Sequence, residues 1–357
     1  MSILRWGWND YFGALWKGEK RENAVPARVI AQSRGVWRVA GDFGECPAEP
    51  AGKLRVAAEQ GADWPAVGDW AVAEIRGQGN AALIQVVLPR RNQFVRKMAG
   101  KKIAEQVMAA NVDIALLVSA LDGDFNPRRV ERYLAQCWES GAKPVILLNK
   151  ADVCETLQTR MEEMERVAMG VPVCAVSAKS GHGFDELDKF LGRGQTVVLL
   201  GSSGVGKSTI VNRLLERAIQ EVQEVRESDG RGRHTTTARE IFALPGGALL
   251  MDTPGLRELQ LWDSNEGISQ TFADIESLAA NCRFGNCRHD GEPGCAVQAA
   301  IEDGSLDTAR LENWRKLERE LAFLKRKTDP DARQNEKKRT KQLMRGVNKM
   351  YRDREKR

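Results

Sequence analysis

No stretch of this 357-residue sequence stays apolar for the eighteen or so residues that a membrane-crossing helix needs. The longest apolar run, Val112 to Leu121, is short and broken by Asp113 and Ser119. The first residues also lack the continuous apolar core and cleavage site of a secretory signal, because Arg5, Trp6, Trp8, Asn9 and Asp10 interrupt them. The expected location is therefore the cytoplasm, with no membrane attachment. Cysteine is sparse and odd in number, seven in all, which argues against a disulfide framework. An excess of one charge is missing from most of the chain. The last stretch, Lys325 to Arg357, holds 14 Lys/Arg and 5 Asp/Glu, whereas residues 1–324 hold 40 basic and 44 acidic residues. The overall charge of +5 thus belongs to the tail. Such a tail suits a polyanion such as RNA, and a solvated helix that aids solubility has the same composition.

With 42% hydrophobic residues, the chain can bury more than one core, and its length predicts two or three domains. Residues 1–24 form an N-terminal extension with Trp6, Trp8, Tyr11, Phe12 and Trp16, read as a segment packed on the next domain. From Val25 to about Asn92, short alternating runs at Ala27–Ala31, Gly35–Ala40, Lys53–Ala57, Asp69–Ile75 and Ala81–Leu88 predict five strands. A barrel of this size is often an OB-fold, whose face binds oligonucleotides; it also serves as a docking platform. Arg28, Arg34, Arg38, Arg55 and Arg76 are expected to be available to phosphates. Beyond the linker Pro89-Arg90-Arg91-Asn92, apolar strands alternate with amphipathic helices, over residues 93–262. That alternation predicts a mainly parallel sheet covered by helices, with ligands at the carboxyl ends of its strands.

One stretch carries specific chemistry. Gly201-Ser202-Ser203-Gly204-Val205-Gly206-Lys207-Ser208 fills every fixed position of the phosphate-loop pattern, after the apolar run Thr196–Leu200 and before a helix from Thr209. Backbone N–H groups there face phosphate oxygens, Lys207 reaches the β and γ phosphates, and Ser208 holds Mg²⁺. Asn149-Lys150-Ala151-Asp152 ends another strand as N-K-x-D, the guanine-reading motif of Ras-like GTPases. An ionised Asp152 accepts from both N1–H and the exocyclic amine of guanine, a donor pair that adenine does not present. Ser177-Ala178-Lys179 follows the next strand like the second base-contacting loop. Asp252-Thr253-Pro254-Gly255 matches D-x-x-G, in which the Asp organises Mg²⁺ through water and the Gly N–H meets the γ-phosphate. Between them lies a Gly- and Arg-rich segment ending in His234-Thr235-Thr236-Thr237, and Thr236 is the expected switch ligand of Mg²⁺.

The order of these elements is unusual. The guanine motif precedes the phosphate loop, which makes the domain a circularly permuted P-loop GTPase. Leu256 stands where many Ras-like enzymes carry a water-orienting glutamine, and leucine makes no hydrogen bond. His234 is the candidate catalytic residue that positions water; a phosphate contact or an ordinary loop histidine are its other readings. Arg233 is a further candidate for charge stabilisation. After Trp262, the spacing Cys282-x4-Cys287-x-His289-x5-Cys295 presents three thiols and an imidazole, a set that suits one closed, structural Zn²⁺ site. Residues 263–326 then form a helical zinc-binding domain, followed by the basic tail, residues 327–357.

Taken together, the barrel, the motif order and the Cys3His loop resemble the circularly permuted ribosome small-subunit-dependent GTPase A family of bacteria over nearly the whole chain. The resemblance implies a multidomain protein with an N-terminal OB-fold β-barrel, a central α/β circularly permuted P-loop GTPase domain and a C-terminal α-helical zinc-binding domain. It also implies a GTPase that docks on the small ribosomal subunit and its rRNA late in maturation, is stimulated there, and uses His234 for catalysis. Its ligands are GTP or GDP with Mg²⁺, and a monomer is expected. Two other classes remain open on the residues alone: an RNA-binding assembly factor with GTP as a structural ligand, and a small-molecule kinase.

Overall fold

The computed structural model describes residues 2–19, 21–33, 35–58, 64–97, 105–215, 239–253 and 266–328. The chain divides into two compact units, Met1–Gln260 and Leu261–Arg357.

In the first unit, helix α1 (Asp10–Glu19) precedes a barrel of β1 (Ala24–Ser33), β2 (Val36–Gly41), β3 (Gly44–Pro50), β4 (Trp70–Arg76) and β5 (Ala81–Val87). Strand β1 pairs with both β2 and β4, and β3 runs parallel to β5, so the closed order is 1-2-3-5-4-1. With helix α2 (Gly52–Ala57) between β3 and β4, this is an OB-fold barrel. Small and β-branched residues fill it, among them Ala27, Val29, Val39, Ala48, Ala71 and Ile84.

Two expectations are corrected here. The strand expected at Lys53–Ala57 is helix α2, and the third strand is Gly44–Pro50. Pro47 and Pro50 lower the strand propensity of that segment, but Cys46, Ala48 and Pro50 alternate inward and supply the pleated face that the barrel needs. Of the described barrel arginines, Arg28 is buried away from solvent, whereas Arg38, Arg55 and Arg76 stay exposed beside carboxylates. Arg55 pairs with Glu49 at 3.0 Å, Arg76 with Glu74 at 3.0 Å, and Arg38 with Glu45 at 3.7 Å and also with Glu240. Arg34 lies outside the described residues.

Arg28 is buried entirely. Its guanidinium donates to Trp6 O, to Thr196 Oγ1 at 2.7 Å and to Asn111 O at 3.4 Å, and it sits over the Trp70 ring at 5.5 Å. Burial lowers its pKa to about 10, so it stays charged at neutral pH. Trp8 packs edge-on to Trp70 at 4.8 Å, and Trp6 and Phe12 join the same core as Trp70, so these residues anchor the extension in the first unit's interior, with Tyr11 exposed. Arg28 therefore ties extension, barrel and the following sheet together. Arg28→Ala leaves Trp6 O and Thr196 Oγ1 without their donor in a dry site, where each orphaned group costs about 1–3 kcal/mol. The expected loss is about 3 kcal/mol, read from urea unfolding followed by tryptophan fluorescence. A loss below about 0.5 kcal/mol, the usual range of surface substitutions, would show that the arginine is not an anchor.

A short hairpin, β6 (Gln93–Lys97) and β7 (Glu105–Ala110), leads into the α/β sheet. Its elements are β8 (Ile114–Ala120), α3 (Pro127–Ser140), β9 (Lys143–Asn149), α4 (Leu157–Ala168), β10 (Val173–Val176), α5 (Phe184–Asp188), β11 (Thr196–Leu200), α6 (Lys207–Leu215), β12 (Arg239–Ala243) and β13 (Leu249–Asp252). Their order across the sheet is β10-β9-β8-β11-β13-β12, parallel except for β12. All seven residues of β8 are buried, as a strand covered on both faces requires. Helix α3 shows why the local sequence suffices: Asn126 caps its first turn, Pro127 opens it, and Gly141 closes it in the left-handed region. Val130, Tyr133, Leu134 and Cys137 form its buried stripe.

The sheet does not end at β12. Ala31 and Gln32 of β1 pair with Glu240 and Arg239, so the barrel covers the edge strand of the α/β sheet and eleven strands form one ladder.

The second unit contains α7 (Glu266–Thr271), α8 (Ala273–Ala279), α9 (Ala296–Glu302) and α10 (Thr308–Thr328). Ile268, Phe272, Ile275, Val297, Leu311 and Leu317 are buried. Arg310 crosses this core, paired with both carboxylate oxygens of Asp274 at 2.8 and 2.9 Å and donating to Thr271 O at 2.8 Å.

Candidate nucleotide site and metal centre

Five strands of the α/β sheet deliver chemistry at their carboxyl ends: Asp122 just after β8, Asn149 on β9, Ser177 after β10, Gly201 after β11 and Asp252 on β13. Strand β11 lies between β8 and β13, which puts the phosphate loop at the centre. Gly206 has φ +93°, and a Cβ there would overlap Asn149 Nδ2, so only glycine fits. Gly201 is likewise confined, because a Cβ would meet Val118 O. Val205 is buried, whereas Ser203, Gly204, Ser208 and Thr209 are exposed on the loop and the first turn of α6. Lys207 folds back over the loop, donating to Gly201 O at 2.7 Å and also to Ser202 O.

Asn149 joins three sequence motifs in one place. Its Nδ2 donates to Val205 O at 2.9 Å, and its Oδ1 accepts from Ala178 N at 3.0 Å. The side chain is 2% exposed, a depth at which an unpaired amide costs about 1–3 kcal/mol, so both bonds hold the two loops in register. Ser177 Oγ accepts from Ser180 N at 3.0 Å, and Arg213 of α6 donates to Ala178 O at 2.8 Å and to Lys179 O at 2.9 Å. The helix after the phosphate loop thereby supports the second base loop as well. Asp152 stands exposed in the turn Ala151–Val153, free of the sheet. Asp252 ends β13 opposite Glu240. His234, Thr236 and Gly255, with Arg233 and Leu256, lie outside the described residues.

Sequence reasoning missed Asp122, Asp124 and Arg129, which link Lys150 to the phosphate loop. Lys150, at φ +69°, extends to Asp122 Oδ2 at 2.5 Å, Asp122 Oδ1 accepts from Asp124 N at 3.0 Å, and Arg129 bridges Asp124 Oδ2 at 2.6 Å to Ser202 Oγ at 2.7 Å. Asp122 and Asp124 follow a buried strand, the one signal that could have marked them. The Lys150 bond, helped by the Asp124 N–H, lowers the Asp122 pKa below its usual value. A depressed carboxylate contributes fully above the ordinary aspartate range and loses its contribution as pH falls through the lowered value. Both ion pairs are about one-third exposed, and such pairs add only about 0–1 kcal/mol to stability.

In the second unit, Cys282 Sγ lies 3.6 Å from His289 Nδ1 and 3.9 Å from Cys295 Sγ, and Cys295 Sγ lies 3.4 Å from the same nitrogen. With Cys287 Sγ, the four donor atoms fall within 4.8 Å of one another. Metal–sulfur bonds of about 2.3 Å place tetrahedral ligands about 3.8 Å apart, so this Cys3His set fits a metal ion. His289 adopts φ +58° and its carbonyl accepts from Arg315 at 2.6 Å and from Gln298, which holds the backbone at this ligand position. Glu292 accepts from Arg288 N at 2.8 Å and Asp290 N at 2.7 Å, bonds that hold its carboxyl down near 2 and brace the ligand loop.

Known proteins are similar to this chain in sequence and in fold. A family model described as RsgA GTPase matches residues 87–262. The small ribosomal subunit biogenesis GTPase RsgA of Syntrophotalea carbinolica is 44% identical over 353 residues, spanning 97% of this chain and 96% of that protein. This chain belongs to the RsgA GTPase family. It is a GTP-hydrolysing enzyme. The RsgA of Opitutus terrae is 44% identical over 355 residues, covering 97% of each chain. Among solved structures, YjeQ from Thermotoga maritima matches with a TM-score of 0.63 at 26% identity, covering 84% of this chain and 98% of that one. The circularly permuted GTPase YloQ shares the fold with a TM-score of 0.57 at 23% identity, covering 85% of this chain and 98% of that one. The permuted order in this chain thus accompanies a fold shared with a solved, circularly permuted GTPase.

Proposed function

We propose that this enzyme hydrolyses GTP to GDP and phosphate during late maturation of the small ribosomal subunit, and that the subunit and its rRNA stimulate the reaction. The observation that carries the nucleotide reading is Asn149, whose two hydrogen bonds bring the base-reading loops against the phosphate loop. The relatives' printed name, small ribosomal subunit biogenesis GTPase, at 44% identity over almost the full length, supports the cellular role.

In this reading, Asp152 and Lys150 contact guanine, Ser177 to Lys179 close over the base, and N–H groups of Gly201 to Thr209 cradle the phosphates. Lys207 leaves its two carbonyls for phosphate oxygens. Ser208 and Thr236 hold Mg²⁺, which neutralises phosphate charge when bound, while Asp252 and Gly255 address the γ-phosphate side. His234 positions the attacking water in place of the missing glutamine. Cys282, Cys287, His289 and Cys295 hold one structural Zn²⁺, since three thiolates and an imidazole suit a closed tetrahedral site. The modules divide at 1–24, 25–92, 93–262, 263–326 and 327–357. RNA contact from the zinc module is supported by the exposed Arg283, Phe284 and Arg288 of its ligand loop, a stacking face with cations.

Multiple-turnover phosphate release with small subunits, large subunits or neither tests the proposal. Switches of this type turn over as slowly as about 10⁻⁴ s⁻¹ alone and gain up to about 10⁵-fold from a partner. Stimulation confined to small subunits is expected, and His234→Ala is expected to abolish most of it with nucleotide affinity intact. Equal rates in all three conditions would overturn stimulation by the small subunit.

A further inference from the structure

Two segments that meet the nucleotide in the proposed reading, the guanine motif and the phosphate loop, are joined by a path outside every recognised motif. It starts at Lys150 Nζ, passes to Asp122 Oδ2 at 2.5 Å, runs from Asp122 Oδ1 to Asp124 N at 3.0 Å, and continues from Asp124 Oδ2 to Arg129 Nη1 at 2.6 Å. Arg129 Nη1 then donates to Ser202 Oγ at 2.7 Å. We propose that Arg129 is a positioning residue that holds the phosphate loop ready for the nucleotide, and that Asp122 and Asp124 couple this hold to Lys150. The proposal rests on the reading of Lys150 and the phosphate loop as nucleotide contacts.

The backbone explains why Arg129 can act as a fixed post. It is the third residue of α3, and its N–H donates to the capping Asn126 Oδ1 at 3.1 Å and to Asn126 O at 3.1 Å. The stripe of Val130, Tyr133 and Leu134 anchors the same turn in the core. The Nη1 amine carries two hydrogens, so Arg129 meets Asp124 and Ser202 at once from one end of a rigid, planar guanidinium. Ser202 is thereby held from two sides, through its hydroxyl by Arg129 and through its carbonyl by Lys207. When Lys207 turns to phosphate oxygens, the carbonyl contact is lost and the Arg129 contact remains. The loop entrance then keeps its shape at the moment when phosphate must find aligned N–H groups, and ordering the loop costs less on binding. Lys150 receives the same benefit at the other end, because Asp122 fixes its long side chain before the base arrives.

The ion pairs, about one-third exposed, contribute little to folding, so a structural role and a positioning role give different readouts. The experiment uses the full-length chain as Arg129→Ala, Arg129→Lys, Ser202→Ala and the double variant Arg129→Ala/Ser202→Ala. It measures equilibrium binding of a fluorescent GDP and a fluorescent GTP, steady-state hydrolysis and thermal unfolding. Arg129→Ala is expected to weaken both nucleotides about tenfold and to raise KM by the same factor, with kcat changing less than about threefold, as loss of one charge-assisted hydrogen bond predicts. Arg129→Lys should recover part of that loss, and the double variant should bind no worse than Arg129→Ala, because both substitutions remove one bond. Affinity within twofold of the parent, multiplicative losses in the double variant, or a fall in kcat with KM unchanged each overturns the proposal. Should Arg129→Ala not fold, Arg129→Lys and Ser202→Ala decide by the same criteria. Asp152→Asn is run alongside: unchanged guanine preference there means the nucleotide reading has failed, whereas a shifted preference with unaltered Arg129 variants means that only the positioning role has failed.

Discussion

Asp152→Asn is expected to lower kcat/KM for GTP by about 10³-fold and to make xanthosine triphosphate the better substrate. An ionised aspartate accepts from guanine N1–H and from the exocyclic amine, two hydrogen bonds to a charged group. Each is worth about 1.5–3 kcal/mol, and tenfold corresponds to about 1.4 kcal/mol, so losing both reaches three orders of magnitude. Asparagine keeps one acceptor and gains a donor. Xanthine keeps N1–H and carries a carbonyl where guanine has its amine, so the pairing is restored with the partners exchanged. The exposed position of Asp152 in its turn, outside the sheet, means that the substitution costs little in stability. Competition between the two triphosphates in a phosphate-release assay measures the effect. Unchanged guanine preference would falsify the base-reading assignment and would bring back a phosphate-loop kinase, which needs an acceptor pocket instead.

Removing metal from the second unit is expected to unfold it. The described helices there span residues 266–328, a size at which one apolar core supplies only about 3–5 kcal/mol. Structural zinc sites in small modules contribute about 10–16 kcal/mol of apparent binding energy at neutral pH, so the ion outweighs the core. Three of the four ligand atoms already lie 3.4 to 3.9 Å from one another, and they come from the loop between α8 and α9, where the thiolates repel once the ion is gone. Chelation of the full-length protein, or Cys295→Ala, should release one zinc per chain and cut helical circular dichroism. Nucleotide binding by the first unit serves as the internal control. Retained helicity in the stripped protein, or elemental analysis showing no zinc in the purified chain, would remove the metal from the account of this unit.

Much of the architecture was legible because local chemistry states it locally. Helix α3 runs from Pro127 to Ser140 as its cap, proline and glycine predict, and β11 occupies Thr196–Leu200 as its apolar run predicts. The barrel's strand count was legible too, but the third strand was misplaced. There, two prolines hid an alternating face whose worth depends on strands β2 and β5, which lie far away in sequence. Arg28 misled for a related reason. Composition reports a cation, and only packing reports that Arg28 is sealed against Trp6 and Trp70.

The sequence by itself determined the order of modules, the permuted succession from Asn149 to Asp252 and the Cys3His ligand set, because fixed spacings constrain a turn, a strand end or a chelate loop wherever they occur. The tertiary structure decided which side chains meet across the strand ends. Asn149 reaching both Val205 and Ala178, and Arg129 reaching Ser202 from the first turn of a helix 73 residues earlier, depend on the neighbours that the sheet brings together. Hydrogen bonds form over about 3 Å of space whatever their separation along the chain, and no local pattern encodes that distance.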